Sequence, residues 1–244
     1  MQTVLILGAT SDIGEAIAYE FARNKFNVIL ASRKHERLAP LKSDLSIRHN
    51  VEVSSVEFDA LDFNSHKEFY KSLAGKIDVA VCVFGYLGDQ KIAEDDNEET
   101  LKIINSNYSG AVSILNIIAN DMESRKKGTI IGISSVAGER GRQSNYIYGS
   151  AKAAFTVYLD GLRNRLFKSG VHVITVKPGF VATKMIENLP PTPKPLTAKP
   201  SKVASDIFQA YKKKENTLYT LWMWKYIMLI IKNIPEIIFK KMKL

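Results

Sequence analysis

The sequence predicts an α/β protein: a doubly wound parallel sheet in three α/β/α layers, forming one domain with an apolar, basic C-terminal extension. Three observations carry this. Six short runs of β-branched and apolar residues recur at 3–9, 27–32, 51–59, 79–85, 129–135 and 172–179. Their near-continuous hydrophobicity suits strands covered on both faces, which is the condition of a parallel sheet. Stretches with helical character separate them, at 13–25, 35–47, 65–74, 98–125 and 146–169. A repeated βα unit closes into a parallel sheet through right-handed crossovers.

The first unit holds the clearest local signal. The turn after the first run reads "GATSDIG", spanning Gly8 to Gly14. Glycines there let backbone amides, with the following helix N-terminus, approach a pyrophosphate, as in a Rossmann-type nucleotide site. Gly8, Thr10, Ser11, Asp12, Ile13 and Gly14 are therefore candidate cofactor-binding residues. The alternative is a tight strand-to-helix turn in which Asp12 caps the helix. At the end of the second run stands "ASRKHER". An NAD-type site carries a carboxylate here for the ribose 2′-hydroxyl. Ser32 and Arg33 occupy that place instead, and a guanidinium pairs with a 2′-phosphate. This points to NADPH/NADP+; the alternative is that Arg33 and Lys34 are a solvated face.

The third and fourth runs contribute a buried core, with Cys82 as an inert apolar residue. "EDDNEE" at 94–99 reads as a solvated helix start, and the long helix at 98–125 follows. The four histidines have no metal-ligand spacing, and no metal is expected. Residues 189–200, "LPPTPKPLTAKP", hold five of the eight prolines and form a surface excursion after the sixth run. Its position suggests a substrate loop, and the catalytic domain ends near residue 217. "KKK" at 212–214 reads as a solvated helix face.

"NYIYGSAKAAF" opens the last long helix and contains two tyrosines. Residues four apart share a helix face, so Tyr148 and Lys152 point the same way, whereas Tyr146 has only Ser150 below it. An ammonium beside a phenol favours phenolate and lowers its pKa, making Tyr148 a usable general acid.

With "FDALD", "NYSG", "ISSVAG", "YGSAK" and "KPGFVAT" following "GATSDIG" in order, the chain resembles the short-chain dehydrogenase/reductase family from residue 3 to about 185. The resemblance implies an Asn107, Ser135, Tyr148, Lys152 catalytic tetrad. In it Ser135 polarises a substrate carbonyl, Tyr148 supplies the proton, Lys152 tunes Tyr148 and binds the nicotinamide ribose, and Asn107 holds a relay water. It also implies cofactor contacts at Asp59 and Ala60, Gly85, Pro178, Gly179, Val181 and Thr183. Two departures stand out: Asp12 replaces a glycine, and Cys82-Val83-Phe84-Gly85 replaces the family's Asn-Asn-Ala-Gly. The second removes side-chain hydrogen bonds that brace the sheet.

"VFGYLGD", "SSVAGERGR" and "IPEIIFKKM" look like one branch, the decaprenylphosphoryl-2-keto-ribose reductases. That likeness implies a keto pentose on a polyprenyl phosphate as substrate, made by an FAD-dependent oxidase partner, and a homo-oligomeric enzyme. The rivals are a soluble carbonyl or 3-oxoacyl reductase and an NADP-sensing binding protein. Net charge is +9, and residues 218–244 carry Lys225, Lys232, Lys240, Lys241 and Lys243 against Glu236. Because this tail is also rich in Trp, Ile and Met, an anionic membrane or phosphorylated ligand suits it better than nucleic acid. It reads either as a peripheral contact at the inner face of the cell membrane or as core and dimer packing. One cysteine and no signal-peptide pattern place the chain in the cytoplasm.

Overall fold

The computed structural model describes residues 1–187 and 190–242. Leu189, the first residue of the proline-rich stretch, and Lys243 lie outside the described residues. Strands β1 (Thr3–Leu7), β2 (Asn27–Ser32), β3 (Val53–Glu57), β4 (Val79–Cys82), β5 (Thr129–Ile133) and β6 (His172–Pro178) fall within the six apolar runs. After β6 come two short paired strands, β7 (Phe180–Val181) and β8 (Thr197–Ala198), and then β9 (Thr217–Thr220). The main sheet has seven parallel strands in the order β3-β2-β1-β4-β5-β6-β9.

Side chains alternate across β1, so Val4 and Ile6 enter one apolar layer while Leu5 and Leu7 enter the other. The first layer is closed by helices α1 (Asp12–Arg23) and α2 (Ala39–His49) and by a later helix described below. Helices α3 (His66–Lys71), α4 (Gln90–Asp95), α5 (Asn97–Ile104), α6 (Gly110–Arg125) and α7 (Tyr146–Leu166) follow in the chain. Of these, α3, α6 and α7 supply the second layer through Tyr70, Ile114, Leu115, Phe155 and Leu159. Helix α8 (Pro200–Lys213) completes the first layer, where Phe208 meets Phe21 edge-on at 5.2 Å. The chain ends in α9 (Met223–Asn233) and α10 (Glu236–Phe239).

Strand order reverses between β1 and β4, where Leu7 pairs with Ala31 on one side and Cys82 on the other. A crevice opens outside such a switch point, at the carboxyl ends of the strands.

The structure revises several expectations. The helix expected at 98–125 is interrupted by a π-helical turn, Asn105–Ser109, between α5 and α6. Such turns re-aim side chains at functional sites. The acidic run is split: Asp96 caps α5 through Glu98 N, and Glu99 is mostly buried, accepting from Tyr86 Oη at 2.8 Å. The boundary at 217 cuts through β9, so the extension begins inside the main sheet. Its sequence, Thr-Leu-Tyr-Thr, is neither an unbroken apolar run nor an alternation, the two patterns that reveal a strand.

Candidate active site

Two adjoining hollows line the switch point. The first, of 210 Å³, is bounded by Gly8, Thr10, Ser11, Ser32, Arg33, Ala60 and Gly85, with Phe58 and Phe84 as its floor. Gly8 adopts φ +99°, and a Cβ there would stand 2.7 Å from Phe84 N, so only glycine leaves this cradle open. Ser11 caps α1: its Oγ accepts from Gly14 N at 3.1 Å and donates to Gly8 O at 2.8 Å. The capping role weighed for Asp12 therefore belongs to Ser11. Asp12 turns away from the cradle and accepts from Lys184 N at 2.8 Å, tying the helix start to the segment after β7. A glycine could not make that tie.

Ser32 Oγ is buried here without a partner, beside Arg33. An orphaned hydroxyl, a guanidinium and a glycine cradle fit the phosphorylated ribose end of a dinucleotide. The Asp59 carboxylate accepts from Leu61 N at 2.9 Å, shaping the loop that carries Ala60. His66, unremarkable in sequence, is fully buried and bridges Asp59 O and Ser113 Oγ, both at 2.9 Å. The bracing expected to be lost with two asparagines is supplied otherwise. Val83 N and Phe84 N both donate to Leu7 O, and Phe84 packs on Phe58 with ring centroids 5.7 Å apart.

The second hollow, of 140 Å³, gathers Ser135, Tyr148 and Lys152 with Ile13, Gly85, Pro178, Gly179, Val181 and Thr183. Residues far apart in sequence thus line one cavity. Lys152 Nζ lies 5.8 Å from the Tyr148 ring centroid and donates to Ile133 O at 3.0 Å. Tyr146, by contrast, is exposed. Ser134 spends its hydroxyl on Lys152 O and Thr156, whereas Ser135 Oγ accepts from Ala137 N at 3.1 Å and keeps its own proton to donate in the cavity. Asn107, on the π-helical turn, is buried beside the cavity. Its Nδ2 donates to Tyr86 O at 2.5 Å and Ile103 O at 2.8 Å, and its Oδ1 accepts from Tyr86 N at 3.2 Å. A Cβ on Gly85 would lie 2.7 Å from Asn107 Oδ1 and 3.4 Å from Lys152 Nζ, so this glycine keeps open the space between them.

One expectation changes. Burial pushes the Tyr148 phenol up to about 12, against a smaller opposing pull from Ser135. Burial also brings Lys152 down to about 8. In the chain alone desolvation outweighs the ammonium. The phenol is therefore protonated at neutral pH, which is the state a proton donor requires. Cys82 behaves as expected: burial raises its thiol to about 12 and it stays inert.

The cavity wall includes Arg142, Asn145 and Met185, which sequence reasoning did not single out, and Trp224, an aromatic of the tail that read as a membrane-interface residue and is instead buried here. Trp224 is buried and donates through Nε1 to Leu196 O at 3.1 Å. A Cβ on Gly179 would fall 1.9 Å from its Cε2, so that glycine admits the indole. Trp224, Met228 and Ile231 sit on one face of α9, at helical spacing, and pack with Val136 and Phe180. That spacing was the available signal, obscured because Tyr226, Leu229 and Ile230 lie on the opposite face. Arg140 caps α9, donating to the carbonyls of Ile231 and Ile234 at 2.7 and 2.6 Å and to Glu236 at 2.9 Å.

A family model described as short chain dehydrogenase matches residues 2–194. The chain belongs to this family. This short-chain dehydrogenase is similar to an uncharacterized oxidoreductase of Mycobacterium tuberculosis, 34% identical over 242 residues, covering 98% of this chain and 96% of that one. It is also similar to an NADP-dependent 3-hydroxy acid dehydrogenase of Schizosaccharomyces pombe, 27% identical, with 89% of each chain covered. Among solved structures, an alcohol dehydrogenase of Thermococcus sibiricus complexed with 5-hydroxy-NADP superposes with a TM-score of 0.79 at 25% identity, covering 91% of this short-chain dehydrogenase and 97% of that chain. The single-domain α/β fold and the oxidoreductase class follow from the family.

Proposed function

We propose that this oxidoreductase reduces a ketone with NADPH, and that the ketone is the 2-keto group of a pentose carried on a polyprenyl phosphate. The observation that carries the reading is the meeting of Ser135, Tyr148 and Lys152 in one cavity that the C-terminal helix walls. When bound, the dihydronicotinamide supplies hydride to the carbonyl carbon. Ser135 donates to the carbonyl oxygen and stabilises the developing alkoxide, and Tyr148 delivers the proton. Lys152 would tune Tyr148 and bind the nicotinamide ribose, and Asn107 would hold a water that links Lys152 to solvent as a proton relay. Gly8 to Gly14 would cradle the pyrophosphate, Asp59 and Ala60 the adenine, and Pro178 to Thr183 the carboxamide. The keto sugar requires an FAD-dependent oxidase upstream.

NADPH, rather than NADH, rests on Arg33 and the orphaned Ser32 hydroxyl; the NADP-dependent Schizosaccharomyces pombe relative and the Thermococcus sibiricus enzyme complexed with 5-hydroxy-NADP agree. Arg33→Ala should raise the KM for NADPH by about 10- to 100-fold, the worth of one charge-assisted phosphate contact. The KM for NADH should barely move. Equal effects on both nucleotides would remove Arg33 from the 2′-phosphate.

A lipid-borne substrate also suits the tail. Opposite its packed face, α9 exposes Tyr226, Leu229 and Ile230, with Trp222 just ahead of the helix and Lys225 beside them. No helix among the described residues is long and apolar enough to cross a membrane. An aromatic and lysine-rich face of this kind lies on an anionic surface. We expect the chain to sediment with anionic phospholipid vesicles, and a Trp222→Ser, Tyr226→Ser, Ile230→Ser variant to stay in solution. If both sediment alike, the membrane contact is refuted. A drop from dimer to monomer in the variant would instead assign the face to a homo-oligomer. The Schizosaccharomyces pombe relative favours a second substrate reading, a 3-oxo acid.

A further inference from the structure

Among the described residues, the partly buried arginines other than Arg142 are matched to strong acceptors. Arg140 meets three carbonyls and Glu236, Arg125 meets Asp121, and Arg163 meets Asp160 and two carbonyls. Arg142 is different. It lines the catalytic cavity, its Nε is buried without a partner, and its Nη2 finds only the sulfur of Met228, at 3.2 Å. A thioether is a weak acceptor. No carboxylate among the described residues lines the cavity, which holds a second cation in Lys152. Burial alone holds the guanidinium below the usual arginine range, with no compensating anion. Three residues on, Asn145 Oδ1 is likewise buried and unpartnered at the same cavity.

A guanidinium partly withdrawn from water is stabilised when an anion meets it. We infer that Arg142 is a substrate-binding residue that pairs with an oxyanion, phosphate or carboxylate, carried by the ketone close to its carbonyl, and that Asn145 accepts from a neighbouring substrate hydroxyl. The inference rests on the ketone reading of this cavity. It adds that the substrate's charge is recognised inside the cavity, by a loop residue held in place by the C-terminal helix. A bidentate guanidinium suits both anions, whereas a neutral ketone leaves it unpaired.

Two matched pairs test this: acetoacetate against methyl acetoacetate, and dihydroxyacetone phosphate against dihydroxyacetone. In the wild-type chain with NADPH, kcat/KM should favour an anionic member by about 10²-fold, chiefly through KM, and Arg142→Met should reduce that ratio to within about threefold. Arg142→Lys should recover part of it. The pair that discriminates tells phosphate from carboxylate. A ratio near one in the wild type, or one that survives Arg142→Met, overturns the inference. Inorganic phosphate and malonate should also inhibit wild-type reduction of the neutral ketones competitively, a measurement that needs no variant; absence of such inhibition by both counts against it. If neutral ketones are reduced through Tyr148 without anion preference, the inference fails and the reductase reading stands. If none of the four is reduced, the reductase reading itself is at fault.

Discussion

Tyr148→Phe lowers kcat for ketone reduction by about 10²- to 10⁴-fold, the usual worth of a positioned general acid. The substitution keeps the ring that packs near Lys152, 5.8 Å from Nζ, and deletes only the oxygen. Packing, and hence the melting temperature, should change little, and kcat should fall far more than nucleotide affinity. Stopped assays with NADPH and a small ketone measure the first, and nucleotide titration the second. Loss of less than tenfold would exclude Tyr148 as the acid, and a nucleotide sensor would keep its function. The wild-type pH profile gives a companion readout. With the phenol near 12 and Lys152 near 8, the acid stays protonated across neutral pH. The ammonium is lost as pH rises through about 8, so reduction should decline on that alkaline limb. A flat profile to pH 10 would contradict the role given to Lys152.

Glu139→Ala costs about 3–5 kcal/mol of stability, because it strands a buried charge. Glu139 lies in the turn after Ser135 with 5% of its side chain exposed. It accepts from Lys177 Nζ on β6 at 2.7 Å and from the Tyr219 hydroxyl on β9, and Lys232 on α9 lies 3.9 Å away. One carboxylate therefore joins the catalytic turn, the sheet edge and the C-terminal helix. Without it, Lys177 has no anion and Tyr219 no acceptor. The melting temperature should fall by roughly 6–20 °C at about 2–4 °C per kcal/mol for a chain of this size. Glu139→Gln keeps an acceptor and should lose less.

Burial pushes the Glu139 carboxyl upward, but Lys177 and Tyr219 together hold it below the ordinary glutamate value. Its contribution is therefore complete above that value, about 4.3, and disappears as pH falls through the lower folded-state value. The stability gap between wild type and Glu139→Gln should close in acid. A gap constant down to pH 2 would show that the charge does not matter.

The parts legible in sequence were those written in neighbouring residues. Buried parallel strands need unbroken apolar runs, so six of the seven main strands were visible. A strand-to-helix turn with a cradle needs glycine at Gly8, and a phenol and an ammonium on one helix face need a spacing of four, as at Tyr148 and Lys152. The order of motifs pointed to the family for the same reason.

What only the tertiary structure decided depends on contacts between distant segments. Asp12 looked like a damaged glycine position until Lys184 N appeared beside it. Nothing near Arg142, Glu139 or His66 in the chain reveals that the first lacks an anion, the second joins three elements and the third braces the Asp59 loop. The tail's role was hidden because large apolar residues stand on both faces of α9, and hydrophobicity has no direction until a partner surface is present. Gly179, by having no side chain, lets Trp224 occupy the cavity wall and fixes which face turns inward.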